Sequence, residues 1–96
     1  MTDGLSDYVC FSSINFVKDK QYKQYTLQDT ETLAAAQQKC ELIADGSSFF
    51  VQKHTQSEEV ICGVHETPLE KCDVRGDKSV LNGGQDWGSV CLPLKP

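Results

Sequence analysis

Five cysteines in 96 residues, Cys10, Cys40, Cys62, Cys72 and Cys91, are scattered singly along the chain, and they constrain its fold more than any other feature. Dispersed cysteines suit disulfides; structural metal sites usually draw on two tight pairs. A chain this short removes only a modest fraction of its surface from water, so its core alone leaves a thin stability margin. A bridge closing a long loop adds roughly 3–5 kcal/mol in the chain-entropy model. The odd count leaves at least one thiol unbridged or joined to another chain. For each choice of that thiol the other four can pair in three ways, and spacing alone decides nothing. The cysteines imply an oxidising compartment and a single secreted domain over residues 1–96. Met1-Thr2-Asp3-Gly4 shows no basic n-region or apolar signal core, so Met1 reads as the start of expression on a mature secreted chain. The longest apolar runs are short against the about twenty residues of a membrane span, so no membrane partner is expected.

Nine basic against fourteen acidic side chains give a net charge of −5, which argues against phosphate-backbone attraction as the main source of affinity. The one concentration of positive charge is Lys18, Lys20 and Lys23. On a strand edge, lysines also serve to block aggregation, which is their plainer reading.

Tyr8–Val17 is rich in β-branched and aromatic residues, Lys18-Asp19-Lys20 interrupts it, and Gln21–Tyr25 resumes the alternation, which predicts an N-terminal β-hairpin. Asp29, Thr30 and Glu31 supply N-cap candidates and negative charge ahead of an alanine-rich stretch that Gly46 ends, which predicts a helix over 30–44. Leu33, Ala36, Cys40, Ile43 and Ala44 fall on one helical stripe facing a core. Residues 48–54 and 59–65 read as two strands joined by a polar turn and packed on that helix. In the last third, Lys78–Leu81 is a short strand, Asn82-Gly83-Gly84 a turn, and Trp87–Leu92 a final strand. The sum is α+β: a hairpin, one helix, then about four antiparallel strands.

Several motifs carry competing chemistries. Arg75-Gly76-Asp77 between Cys72 and Cys91 could be presented on a disulfide-bounded loop to an adhesion receptor, although Gly-Asp is also ordinary turn chemistry. Cys62-x-x-His65 followed by Cys72 matches zinc ligand types but has no second close pair. Cys40 on the apolar stripe and Cys62 in an apolar strand favour a buried helix-to-sheet bridge over an exposed nucleophile. Trp87 could stack on a ligand, or fill the core as a lone tryptophan commonly does.

Tyr8-Val9-Cys10 near the start, with Cys91 near the end, resembles the small secreted effectors of powdery mildew fungi. Many of these resemble the fungal guanyl-specific ribonucleases. The resemblance implies a hairpin, one helix and an antiparallel sheet, with a Cys10–Cys91 bridge joining the chain ends. A helix cysteine such as Cys40 bridged to a strand cysteine such as Cys62 is also similar to apple-like (PAN) modules. The ribonuclease likeness implies a carboxylate base, two histidines and an arginine near the phosphate. His54, Glu58 or Glu59, and Arg75 occur in a suitable order, but no histidine follows His65 to act as the late general acid. That loss costs about 10² to 10⁴ in rate. The expectation is therefore a ribonuclease-shaped effector without catalytic residues or cofactor, a monomer. It would bind a host plant protein, an intracellular immune receptor among the candidates, with RNA a weaker partner. Its contacts would come from Lys18, Lys20, Lys23, Arg75, Asp77 and Trp87. A weak ribonuclease using His54, and an extracellular adhesion or carbohydrate-binding module, are the alternatives.

Overall fold

The computed structural model describes residues 7–11, 15–17, 20–54, 57–76 and 85–94, and of residues 15–17, 75, 76, 85 and 86 the backbone alone. The strands are β1 (Tyr8–Phe11), β2 (Asn15–Val17), β3 (Tyr22–Leu27), β4 (Phe49–His54), β5 (Val60–His65), β6 (Val74–Gly76) and β7 (Gln85–Pro93). Helix α1 (Leu33–Ala44) separates β3 from β4, and a 3-10 turn (Lys71–Asp73) precedes β6. Five strands form an antiparallel sheet in the order β1-β7-β4-β5-β3, and β2 pairs with β6 in a second, two-stranded sheet. The architecture is α+β, one helix on an antiparallel sheet.

β4 holds the centre. Its Phe49-Phe50-Val51 run is buried throughout, as a strand covered on both faces requires. Phe49 and Val51 join Tyr8, Ala36, Cys40, Ala44, Val60, Cys62 and Cys91 in the core beneath the helix. Phe50 joins Val90, Leu92 and Leu69 on the other side, with Phe11 and Val74 packed against them.

The expected N-terminal hairpin does not form. β1 pairs with β7, Cys10 standing opposite Cys91; β2 pairs with β6; and β3 pairs with β5, Tyr22 opposite His65. Each candidate strand is satisfied by a partner far along the chain, and local alternation carries no information about that choice. The Lys78–Leu81 strand and the Asn82–Gly84 turn lie outside the described residues. The β4–β5 hairpin forms as expected.

Helix α1 starts later than its acidic signals suggested. Thr32 is the N-cap, its Oγ1 accepting the Ala35 N–H at 3.1 Å. Asp29, at φ 51, and Thr30 instead build the preceding turn, where the Lys39 ammonium donates to the carbonyls of Gln28 and Asp29 and to Thr30 Oγ1. At the other end Asp45 takes the left-handed conformation, its N–H bonding to Glu41 O, and Gly46 at φ 93 turns the chain away. The buried stripe is Ala36, Gln37, Cys40 and Ala44, while Ile43 is 40 % exposed. Gln37 can be buried because its amide donates to Ser89 Oγ on β7 at 2.8 Å, which offsets the cost of taking it from water.

Two bridges close the structure, Cys10–Cys91 across β1 and β7 and Cys40–Cys62 from helix to sheet. Cys72, exposed, stands outside both, so no Cys72–Cys91 loop exists. With Cys10 and Cys91 separated by 81 positions and Cys40 and Cys62 by 22, chain entropy assigns the bridges about 4.5 and about 3.4 kcal/mol. In urea denaturation, Cys10→Ser with Cys91→Ser is expected to lose about 1 kcal/mol more than Cys40→Ala with Cys62→Ala. The reverse order would show that lost helix–sheet packing outweighs loop length.

Candidate functional site: the outer face of the sheet

The helix covers one face of the sheet, and strand alternation assigns the other side chains to the outer face. Thr26 and Gln24 of β3, Ile61 of β5 and Gln52 of β4 lie there with the Tyr22–His65–Phe50 cluster, as the cross-strand partners require. Leu69 and Val74 cover the Phe50–Val90–Leu92 side.

The cluster depends on a missing side chain. A Cβ at Gly63 would collide with the Phe50 ring, so glycine lets that ring lie across β5. Phe50 then meets Tyr22 edge-on, with ring centroids 4.8 Å apart, and His65 at 5.5 Å. His65 is 1 % exposed, and its Nδ1 lies 3.1 Å from the Gln21 carbonyl. A carbonyl can only accept, so Nδ1 carries the proton, and Nε2 is a buried acceptor without a partner among the described residues. Burial pushes the imidazole below its ordinary 6.5; the Gln21 carbonyl and Asp73 oppose this, and Lys20 adds to it. Lys20 and Asp73 form an ion pair at 3.8 Å beside it. A cleft of about 290 Å³ adjoins, between the Gly46–Ser48 turn, the Glu66–Pro68 segment and Pro93.

His54 sits at the far end of the same hairpin, its N–H bonded to the Glu59 carbonyl and its C=O to the Glu58 N–H. From Glu59 to His65 the strand runs six residues, about 20 Å. The two histidines therefore cannot act on one phosphate. Glu58 and Glu59 are exposed beside His54 and line a cleft of about 490 Å³ with Asp29, Glu31 and Lys53. A second cleft, of about 500 Å³, holds Asp7, Glu41 and Asp45 around Tyr8. Burial, with Glu41, Asp45 and Asp7 adding to it, pushes the Tyr8 phenol up, and its hydroxyl donates to the Ser47 carbonyl at 3.0 Å. Both clefts are lined by carboxylates, which repel phosphate.

Comparison with protein-family models, with curated proteins and with solved structures gives no match to this chain.

The remaining candidates are dispersed. Lys20 and Lys23 are exposed, Lys23 lying 5.9 Å from the centre of the Tyr25 ring. Trp87 stands on the helix side, half-buried against the main core. Arg75 contributes its backbone to β6 opposite Phe16, so Arg75 and Gly76 belong to a paired strand, not to a loop. Lys18 and Asp77 lie outside the described residues. Cys62 is bonded to Cys40 on the helix side while His65 occupies the outer face, which separates the suspected zinc ligands. No group of three metal-ligating side chains occurs among the described residues. No helix among them is long and apolar enough to cross a membrane. The two disulfides are compatible with an extracellular protein. The role of His65 was missed in sequence because its suspected partners were cysteines. Its alternation in phase with Gly63 and Ile61 was the available signal.

A histidine whose folded pKa lies below its unfolded value binds fewer protons in the folded state. Its contribution to stability is complete above about pH 6.5 and is lost as pH falls through the folded pKa. Melting temperatures measured from pH 7.5 to 4.5 should fall in this window, and His65→Gln should flatten that part of the profile; an unchanged slope would remove His65 as its cause. Gly63→Ala should cost about 1–3 kcal/mol by displacing the Phe50 ring, and Phe50→Leu should recover part of the loss in a double-mutant cycle.

Proposed function

We propose that this chain is a secreted effector of the fungal type, with a ribonuclease-like fold that has no ribonuclease activity, and that it acts by binding a host plant protein. The observation that carries this reading is the separation of His54 from His65 along β5, by about 20 Å, with the His65 imidazole buried. Acid–base cleavage by a pair of histidines needs both within hydrogen-bond reach of one substrate, and His65 cannot replace the late general acid that the ribonuclease pattern requires. The carboxylate-lined clefts also weigh against RNA as the partner. The Cys10–Cys91 bridge supports the likeness to the powdery mildew effectors, in which such a bridge is implied. Binding then falls to exposed side chains on the segment around Lys20–Gln24 and on residues 67–73, which lie together through the Lys20–Asp73 pair. An intracellular plant immune receptor fits as one recogniser.

Purified protein incubated with single-stranded RNA should release no acid-soluble nucleotides; cleavage that disappears in His54→Ala would overturn the non-enzymatic reading. Expressed in leaf cells with candidate immune receptors, the protein should trigger cell death. Alanine at Lys20, Lys23, Thr67 and Lys71 should abolish that response without lowering the melting temperature. Recognition that survives all four substitutions would place the contact surface elsewhere.

A further inference from the structure

The free edge of the five-stranded sheet at β3 has a geometry that the binding reading leaves unused. The His65 N–H bonds to the Ser48 carbonyl at 2.9 Å, so His65 turns its peptide groups toward β4. Its cross-strand partner Tyr22 is then a non-bonded pair, with N–H and C=O directed away from β5. Alternation carries the assignment along the strand: Lys23, Tyr25 and Leu27 bond to β5, while Tyr22, Gln24 and Thr26 present their peptide groups at the open edge. All three of these residues are exposed, and no described strand lies beyond β3. The six residues keep one register against β5 with no shift, and they include no proline. β1, at the other edge, is four residues long. The start of β3 is held in place from below, because the Gln21 carbonyl takes the His65 Nδ1–H.

We propose that the β3 edge binds an extended, acidic polypeptide segment of a partner by strand addition, with the outward peptide groups of Tyr22, Gln24 and Thr26 forming the new ladder. The charge of the edge decides the occupant. Residues 20–27 carry two lysines and no carboxylate in a chain of −5; Lys20 is paired with Asp73, so Lys23 is the lysine that the strand itself presents. A lysine at an edge repels a neutral or basic strand and so guards against aggregation. The same lysine is satisfied by a carboxylate placed opposite, which turns the guard into a filter. A glutamate or aspartate on the partner's helix-side positions would face Lys23, and apolar residues on the alternate positions would meet the 46 % exposed Tyr22 ring. The proposal rests on the reading of this chain as a binding protein, and names the kind of segment it binds.

The test titrates the full-length protein into a fluorescein-labelled eight-residue peptide that alternates glutamate with valine and tyrosine, followed by anisotropy and by amide hydrogen exchange. Binding should protect the amides of Tyr22, Gln24 and Thr26, while those of Lys23, Tyr25 and Leu27 are already protected in the free protein. Lys23→Glu should weaken binding about tenfold. Gln24→Pro removes one outward N–H without touching the ladder to β5, and should do the same. If either variant misfolds, the same peptide N-methylated on alternate residues tests the wild-type protein, and it should not bind. No binding, equal binding of the N-methylated peptide, or protection at β1 instead of β3 would overturn the proposal. Dimerisation of the protein by sedimentation, with the same alternate protection and no peptide present, would overturn it in favour of a second copy as occupant. The peptide titration and the leaf assay fail independently: recognition in leaf cells without peptide binding sinks strand addition alone, and peptide binding without recognition sinks the immune-receptor reading alone.

Discussion

The central strand sets the terms for the rest of the molecule, because Phe49-Phe50-Val51 must be kept from water on both sides at once. One face needs a helix close by, and α1 supplies it with the small side chains Ala36, Cys40 and Ala44 facing the sheet. The other face needs a cover that is not a helix, and Leu69 and Val74 provide it from the segment after β5. Burying three consecutive apolar side chains from opposite sides gives β4 roughly 5–8 kcal/mol of transfer free energy. The Cys40–Cys62 bridge then fixes the helix to β5, the strand beside β4.

Those parts of the fold that are written locally were legible. The β4–β5 hairpin followed from two apolar runs around a polar turn, and the helix from its alanine-rich periodicity ahead of Gly46. What local pattern could not supply was partner choice. Tyr8–Phe11, Asn15–Val17 and Tyr22–Leu27 all look like strands, and each finds its neighbour at a distance that alternation does not encode. Gln37 shows the same blindness on a smaller scale. A polar residue on a helix reads as solvent-facing until its hydroxyl partner, Ser89, is brought to it by folding. The site was less legible than the fold, because its key property is the buried, one-sided hydrogen bonding of His65, which depends on Gln21, Tyr22 and Phe50 together.

The chemistry of the surface divides along the same lines. Carboxylates gather in two clefts, one beside Tyr8 and one beside Glu58 and Glu59, while lysine is concentrated where β3 begins. Carboxylate-lined clefts repel a phosphate, and the lysines at the start of β3 attract an acidic group. His65 supports this division structurally. Its imidazole ties the beginning of β3 to β5, so that the exposed edge is presented by a strand anchored at its base.

The bridge between Cys10 and Cys91 has a mechanical consequence for how such a chain could be moved. Residues 10–91 form one covalent ring. Any machine that draws the chain through in single file, such as a translocation pore or an unfolding protease, must admit two strands abreast once it reaches the bridge. Unfolding does not relieve this constraint, because the ring persists in the unfolded chain. Passage through a narrow pore is therefore gated by the reduction of one sulfur–sulfur bond, while folded passage or vesicular transport is indifferent to it. The residue pair that chain entropy credits with the larger stabilisation is thus also the pair that limits how the ring can be threaded through a narrow pore.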